Sequence, residues 1–157
     1  MNYFIGEYRY TLDDKGRVNI PAKFRKATSG ETEGKFIIYY DEEDNCLYVY
    51  PNDLFEKKIV NFIDKLSEAK KEHRAYMSMV GENSTDASLD KQGRITIPPN
   101  FLKKAGIKKE VLIIGSFNKI EIWNPEVRAG FKEALGGTQA KAKLEERIAK
   151  DLESEKS

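Results

Sequence analysis

An aspartate and an arginine four residues apart occur twice in this chain, each time with a glycine directly before the arginine. The first pair is Asp13 and Arg17, and the second is Asp90 and Arg94, 77 residues later. Arginine carries a planar fork of donors that suits bidentate contact with phosphate or guanine. Aspartate can accept from turn N–H groups or hold the arginine in one rotamer. The spacing predicts two equivalent ligand-contacting turns, although each pair could instead be only a local ion pair that stabilises its turn.

The residues around each pair repeat as well, which indicates two copies of one supersecondary unit. Thr11–Pro21 returns as Ser88–Pro98 without a gap. We call Asp13–Arg17 the first motif turn and Asp90–Arg94 the second motif turn. A hairpin tip exposes its side chains, and a glycine there allows a positive φ. The residues predicted to contact phosphate or guanine are Lys15, Arg17, Lys91 and Arg94, and those predicted to orient the turns are Asp13, Gly16, Asp90 and Gly93.

Basic charge is concentrated on the repeated motif, although the whole chain has a net charge of only +1. Arg9–Lys26 carries six basic residues against two acidic ones, and Ser88–Lys109 carries six against one. Glu31–Glu56, in contrast, carries eight acidic residues against one lysine. A random scatter of surface charge has no reason to follow a repeat, so the two basic segments favour an anionic partner.

The 157 residues contain no recognisable set of catalytic or metal-ligating side chains. The chain has one histidine, His73, and one cysteine, Cys46, which excludes the usual zinc ligand sets and makes a Cys–His nucleophile improbable. The acidic segment Asp41–Asn45 lacks the ligand order of a calcium loop, and no phosphate-binding glycine motif is present. We therefore predict no catalytic residue, no metal and no cofactor. Because there is no signal sequence and no apolar run of about 20 residues, we also predict a soluble intracellular protein.

Hydrophobic periodicity predicts the same order of elements in both copies: strand, motif turn, strand, short helix and hairpin. The strands around the motif turns are expected to form hairpins with each other. The predicted strands and short helices of the first copy are Tyr8–Leu12, Val18–Ile20, Ala22–Thr28, Phe36–Tyr40 and Leu47–Tyr50. Those of the second copy are Ala87–Leu89, Ile95–Ile97, a short helix ending at Gly106, Val111–Ile114 and Ile120–Trp123.

Helical spacing predicts two helices between the copies, over Phe55–Leu66 and Ala69–Val80, and another helix that begins at Asn124-Pro125. The fold class is therefore α+β, mainly β with helices. A unit of roughly 45 residues cannot bury a stable core alone, so we expect the copies to pack about a pseudo-twofold axis. The predicted parts are a first repeat (1–53), a helical connector (54–82), a second repeat (83–127) and a C-terminal helix and tail (128–157).

Three stretches resemble the MraZ family of bacterial transcriptional regulators: Gly6–Tyr8 with the first motif, Leu89–Pro99 and Gly115–Trp123. The resemblance runs from Met1 to about Leu135. It implies two SpoVT/AbrB-like β units that form an intrachain pseudo-dimeric barrel, with connecting and C-terminal helices. The Asp-x-x-x-Arg pairs of the family fall on the two motif turns. Lys15 lies where the family usually has Lys or a similar residue, whereas Lys91 lies at a more variable position.

The resemblance also implies a function: sequence-specific binding of double-stranded DNA at tandem short repeats in the promoter of a division and cell-wall gene cluster, with repression as the outcome. It implies a ring-shaped homo-oligomer in the bacterial cytoplasm and nucleoid. Apolar residues at helical spacing are candidates for self-association, among them Phe62, Leu66 and Tyr76.

Two other classes of protein stay open. The first is an antitoxin-like protein of the same superfamily that binds a toxin through an extended tail after Gly137. The second is a scaffold whose ring binds protein or carbohydrate.

Overall fold

The computed structural model describes residues 3–26 and 34–156 of the chain. Over these ranges the protein has the predicted α+β class, with antiparallel strands and several helices. The chain divides into two compact units, Met1–Asn124 and Pro125–Ser157. The division into four parts proposed from the sequence stays a prediction.

Each predicted strand and helix is found with modest changes in its bounds, except that the single helix predicted over Phe55–Leu66 is interrupted by a π-helical turn and ends at Ile63. The strands are β1 (Phe4–Thr11), β2 (Arg17–Asn19), β3 (Lys35–Asp41), β4 (Cys46–Pro51), β5 (Ser84–Ser88), β6 (Arg94–Thr96), β7 (Glu110–Phe117) and β8 (Lys119–Trp123). The helices are α1 (Ala22–Lys26), α2 (Asn52–Phe55), α3 (Asn61–Ile63), α4 (Lys71–Glu82), α5 (Pro99–Lys104), α6 (Pro125–Ala134) and α7 (Ala140–Lys156). A π-helical turn, Glu56–Val60, joins α2 to α3, and Gly137–Gln139 forms a 3₁₀ turn before α7. Ala27 and Thr28, the predicted end of the first short helix, lie outside the described residues.

Six strands form one antiparallel sheet in the order β1-β7-β8-β4-β3-β5, and β2 pairs with β6 in a second, two-stranded sheet. The predicted hairpins β3–β4 and β7–β8 are confirmed. The remaining pairs, β1 with β7, β4 with β8 and β3 with β5, each join a strand of the first copy to a strand of the second. Among the described strands β1 and β5 are the edges of the larger sheet, so it is open, and the closed barrel that the resemblance implies is not found in the described residues.

The prediction that the strands before and after each motif turn pair with each other is wrong. β1 pairs with β7 over eight residues, and β5 pairs with β3, whereas β2 and β6 pair with each other. β2 has only three residues, so it could not satisfy the backbone groups of the eight-residue β1. The turns themselves are present, because Asp13 N–H donates to the Arg17 carbonyl at 3.0 Å and Asp90 N–H to the Arg94 carbonyl at 2.8 Å.

One apolar core takes residues from both copies at equivalent positions. The exposed fraction is 3% or less for each of the pairs Val18 and Ile95, Ile20 and Ile97, and Phe24 and Phe101, whose members are 77 residues apart. These side chains come from β2 and β6, from the residues after those strands and from α1 and α5. Because they lie in a single cluster, burial of one copy's apolar side chains depends on the other copy.

A proline ends each short strand segment and begins a short helix. Pro21 precedes α1 and Pro98 precedes α5, where the fixed φ of proline suits entry into a helix. Phe24 N–H donates to the Pro21 carbonyl at 2.8 Å, and Phe101 N–H donates to the Pro98 carbonyl at 3.0 Å. The buried phenylalanine in each helix then anchors it to the core.

The C-terminal unit consists of α6, the 3₁₀ turn and α7. The tail after Gly137 is a 17-residue α-helix, so the extended tail considered for an antitoxin-like protein is not observed. Phe131, Leu135, Leu144 and Ile148 line a groove between α6 and α7. None of the described helices combines the length and the apolar composition that crossing a bilayer requires.

Candidate functional site

The first motif turn is built around the carboxylate of Asp13. Its Oδ1 accepts from the backbone N–H groups of Lys15 at 2.9 Å and Arg17 at 2.8 Å, and its Oδ2 accepts from Arg17 Nε at 2.5 Å. Gly16 N–H donates to the Asp13 carbonyl at 3.1 Å. One side chain therefore determines the backbone path of the turn and the direction of the guanidinium together.

The second motif turn repeats these hydrogen bonds. Asp90 Oδ1 accepts from the N–H groups of Gln92 and Arg94, both at 2.9 Å, and Asp90 Oδ2 accepts from Arg94 Nε at 2.9 Å. Gln92, rather than Lys91, therefore corresponds to Lys15. Lys91 is an exposed residue of the same turn.

The aspartates are held in their ionised form. The hydrogen bond from the Arg17 backbone N–H lowers the pKa of Asp13, and that from the Arg94 backbone N–H lowers the pKa of Asp90. The paired guanidinium contributes in the same direction in both turns. Each carboxylate therefore keeps its arginine oriented at neutral pH.

The two turns lie side by side because β2 and β6 pair directly. Val18 lies opposite Ile95, and Asn19 lies opposite Arg94. Arg94 Nη1 is 3.6 Å from Asp13 Oδ2, so Asp13 contacts the arginines of both turns. The structure thus brings the predicted aspartate–arginine pairs into one site.

The motif glycines are held by the opposite copy. Ile20 N–H donates to the Gly93 carbonyl at 3.0 Å, and Ile97 N–H donates to the Gly16 carbonyl at 2.9 Å. Gly16 has φ +75° and Gly93 has φ +78°, a region that residues with a Cβ rarely adopt. Both glycines therefore adopt a backbone conformation that an alanine would strain.

The side chains at this site can reach a ligand. Arg17 is 32% exposed and Arg94 is 23% exposed, while Lys15 and Lys91 are exposed. The site thus offers cations on a short pair of antiparallel strands, with the arginines oriented before any ligand binds. An array of this kind suits an anionic, repeating partner better than a small-molecule reaction.

Sequence reasoning missed two residues that pack on the turns. A Cβ placed on Gly93 would lie 2.7 Å from Arg25 Cζ, and a Cβ placed on Gly16 would lie 3.5 Å from Leu102 Cδ1. Arg25 and Leu102 are themselves 77 residues apart, so the repeat offset could have identified them as equivalent positions.

The residues with the greatest chemical reactivity lie elsewhere. Burial raises the pKa of the Cys46 thiol, and His73 Nδ1 accepts a hydrogen bond from the Ser67 N–H at 2.9 Å. Within 3–26 and 34–156, no group of three His, Cys, Asp or Glu side chains could hold a metal ion.

Comparison with known proteins identifies relatives over most of the chain. A family model described as "MraZ protein, putative antitoxin-like" matches residues 3–78 and 82–135. A protein of Natranaerobius thermophilus named "Transcriptional regulator MraZ" is 40% identical over 123 residues, which cover 78% of this chain and 82% of that protein. A protein of Clostridium tetani with the same name is 38% identical over 134 residues, covering 83% and 88%.

Proposed function

Since this chain belongs to the MraZ family of transcriptional regulators, we propose that it regulates transcription by binding double-stranded DNA through its two motif turns. The observation that carries this proposal is the pair of aspartate-oriented arginines on adjacent strands, Arg17 at the start of β2 and Arg94 at the start of β6. Pre-oriented guanidinium groups lose less side-chain entropy on binding than free ones. Lys15 and Lys91 would add contacts to phosphates.

Each arginine has donors beyond the one that its aspartate uses. Asp13 and Asp90 both accept from Nε. In the described part of the chain, the terminal nitrogens of Arg17 have no protein partner, whereas Arg94 Nη1 lies near Asp13. Terminal guanidinium nitrogens are suited to bidentate contact with guanine or with a phosphate. The two arginines would therefore contact DNA in related but unequal ways.

The two copies would act as an intrachain pseudo-dimer. Reciprocal hydrogen bonds support this arrangement, because the Ile20 N–H donates to the Gly93 carbonyl and the equivalent Ile97 N–H donates to the Gly16 carbonyl. The equivalent residues Val18 and Ile95 also lie opposite each other. A pseudo-twofold relation would place both motif turns on the same face of the molecule, where they could contact one stretch of duplex.

The resemblance to the family extends the proposal to assembly and target. The protein would form a ring-shaped homo-oligomer in the bacterial cytoplasm and nucleoid, bind tandem short repeats upstream of its own gene and repress a division and cell-wall gene cluster. A single unit with few exposed cations would bind DNA weakly, at about 10⁻⁴–10⁻⁶ M for non-specific contact. Linked units could raise the apparent affinity about 10²–10⁴-fold where repeat and subunit spacing match.

The experiment is a fluorescence anisotropy titration of the full chain with DNA from immediately upstream of its coding sequence. Arg17→Ala should abolish sequence-specific binding without changing the thermal melt, since the Arg17 side chain is 32% exposed and its ion pair is with the 33% exposed Asp13 side chain. Arg74→Ala is the matched control, because Arg74 is an exposed arginine on α4 whose Nη1 donates to the Glu68 carbonyl at 2.9 Å. Normal operator binding by Arg17→Ala would contradict the proposed site.

The family description also favours a second candidate, an antitoxin-like protein that binds a protein partner. Purification of the chain from its own cells would then yield a small protein in a fixed ratio, and DNA binding would not depend on Arg17. If no small protein co-purifies and Arg17→Ala loses DNA binding, the results support the proposed transcriptional regulator.

A further inference from the structure

The two motif turns are covered by different side chains at equivalent positions. Arg25 on α1 lies against Gly93 of the second motif turn, and Leu102 on α5 lies against Gly16 of the first motif turn. The contacts are reciprocal, since each short helix covers the turn of the other copy. The repeat places a cation on one turn and an aliphatic group on the other.

The Arg25 guanidinium lies directly on the backbone of its turn. A Cβ placed on Gly93 would meet Arg25 Nη1 and would lie 2.7 Å from Arg25 Cζ and 2.9 Å from Arg25 Cδ. Gly93 is accordingly buried, whereas Gly16 is half-buried. Arg25 itself is half-buried, so part of its side chain faces solvent. A ligand that approaches the second motif turn would therefore meet Arg25 together with Arg94.

The helix that carries Arg25 is held in place independently of any ligand. Phe24, the preceding residue, is fully buried, and its ring packs edge-on against those of Phe4 and Tyr8. The distances between ring centroids are 5.5 Å to Phe4 and 5.4 Å to Tyr8. Arg25 N–H also donates to the Pro21 carbonyl at 3.0 Å. The start of the side chain is thus anchored, which limits the positions that its guanidinium can take.

We propose that Arg25 is a specificity-determining residue that makes the two halves of the DNA site unequal. This inference rests on the proposed function. The half contacted by the second motif turn meets two guanidinium groups, Arg94 and Arg25, whereas the other half meets Arg17 with Leu102 beside it. A protein with identical halves reads a symmetric site, so unequal halves select an asymmetric site and one orientation on it.

The test uses the full chain and a duplex that contains one bound repeat, with every base pair changed in turn and affinity measured by fluorescence anisotropy. Wild-type protein should lose about 10-fold more affinity for changes in one half than in the other. Arg25→Leu should remove that excess. Leu102→Arg should add sensitivity in the weaker half, and the double variant R25L/L102R should reverse the order of the halves.

Two further variants separate specificity from charge and fold. Arg25→Lys keeps the charge but lacks the planar fork, so it should retain the salt dependence of binding and lose the discrimination between bases. Arg74→Leu on α4 is the matched control and should leave the profile of base preferences unchanged. Leu102→Arg and Arg25→Lys decide the question if Arg25→Leu fails to fold in a thermal melt.

Equal sensitivity of the two halves in wild-type protein would overturn the inference while leaving DNA binding intact. A uniform loss of affinity in Arg25→Leu, with the profile of base preferences unchanged, would also overturn it. Failure of wild-type protein to bind any upstream duplex would overturn the proposed function, and the inference with it.

Discussion

The first and second motif turns hold their arginines with the same hydrogen bonds but differ in what surrounds them. In both, an aspartate accepts two backbone N–H groups and one arginine Nε. The first turn has Leu102 beside its glycine, and the second has Arg25. Asp13 also contacts Arg94, and among the described residues no reciprocal pair joins Asp90 to Arg17. The repeat therefore conserves the geometry of the turns while their surroundings have diverged.

The largest effect should come from adding a methyl group to each motif glycine. Gly16→Ala should cost about 3 kcal/mol of stability, because its Cβ would lie 2.8 Å from the Ile97 carbonyl oxygen, a backbone atom, at a positive φ. Gly93→Ala should cost only about 1.5 kcal/mol for the positive φ, since the flexible end of Arg25 can move away.

Urea unfolding measures both values. Gly81→Ala is the control, because nothing lies within 4 Å of a Cβ at this helical position, and it should gain up to about 1 kcal/mol. An equal or greater cost for Gly93→Ala would show that the two turns do not differ in this way.

The second effect tests a polar cluster centred on Asn83, which joins a residue of the first copy to one of the second. Asn83 is 4% exposed, donates to Glu42 Oε1 at 3.0 Å and accepts from Lys104 Nζ at 3.0 Å. The position 77 residues earlier is Gly6, which has no side chain. Asn83→Ala should cost about 2 kcal/mol, because two hydrogen-bonded groups lose a buried partner.

Thermal or urea unfolding reports this loss. Asn100→Ala on the exposed side of α5 is the matched control, and its stability should stay within about 0.5 kcal/mol of wild type. A neutral Asn83→Ala variant would mean that the cluster does not stabilise the protein.

The third effect compares the two aspartates through DNA binding. Asp13→Ala should weaken binding about 10-fold, because it frees Arg17 and removes one of the two carboxylate contacts of Arg94. Asp90→Ala should weaken binding about 3-fold, because Arg94 then keeps its contact with Asp13. Anisotropy titration gives the ratio. Asp14→Ala removes a neighbouring exposed carboxylate and should not reduce affinity. The reverse order of Asp13 and Asp90 would show that the Asp13–Arg94 contact has no role in binding.

The smallest effect is on the pH dependence of stability. The pKa values of Asp13 and Asp90 are lowered from the ordinary 3.8 on folding. Their contribution is therefore complete above that value and is lost as pH falls through the lower folded-state pKa. Wild-type protein should lose melting temperature faster than the double variant D13N/D90N below about pH 4. Parallel curves between pH values of about 2.5 and 6 would contradict this assignment.

The local parts of the fold and site were predictable because their interactions lie within a few residues. Residue type and spacing predict three kinds of local structure. They are the two hairpins β3–β4 and β7–β8, the short helices after Pro21 and Pro98, and the aspartate-centred turns. The π-helical turn at Glu56–Val60 and the buried Asn83 were not predicted, since tertiary packing determines both. The π turn continues the apolar spacing of an ordinary helix, and Asn83 stands in a polar segment typical of a surface loop.

By itself, the sequence determined that there are two copies, that each has an aspartate-held arginine in a glycine turn, and that basic charge accompanies both. These features depend on contacts between residues at most four apart, such as Asp13 with Arg17. Only the tertiary structure decided that β2 pairs with β6, that β1 pairs with β7, and that Arg25 rather than an aliphatic residue covers the second motif turn. These contacts join residues about 70 or more positions apart, and they form because neither copy can bury its apolar residues or satisfy its strand edges without the other.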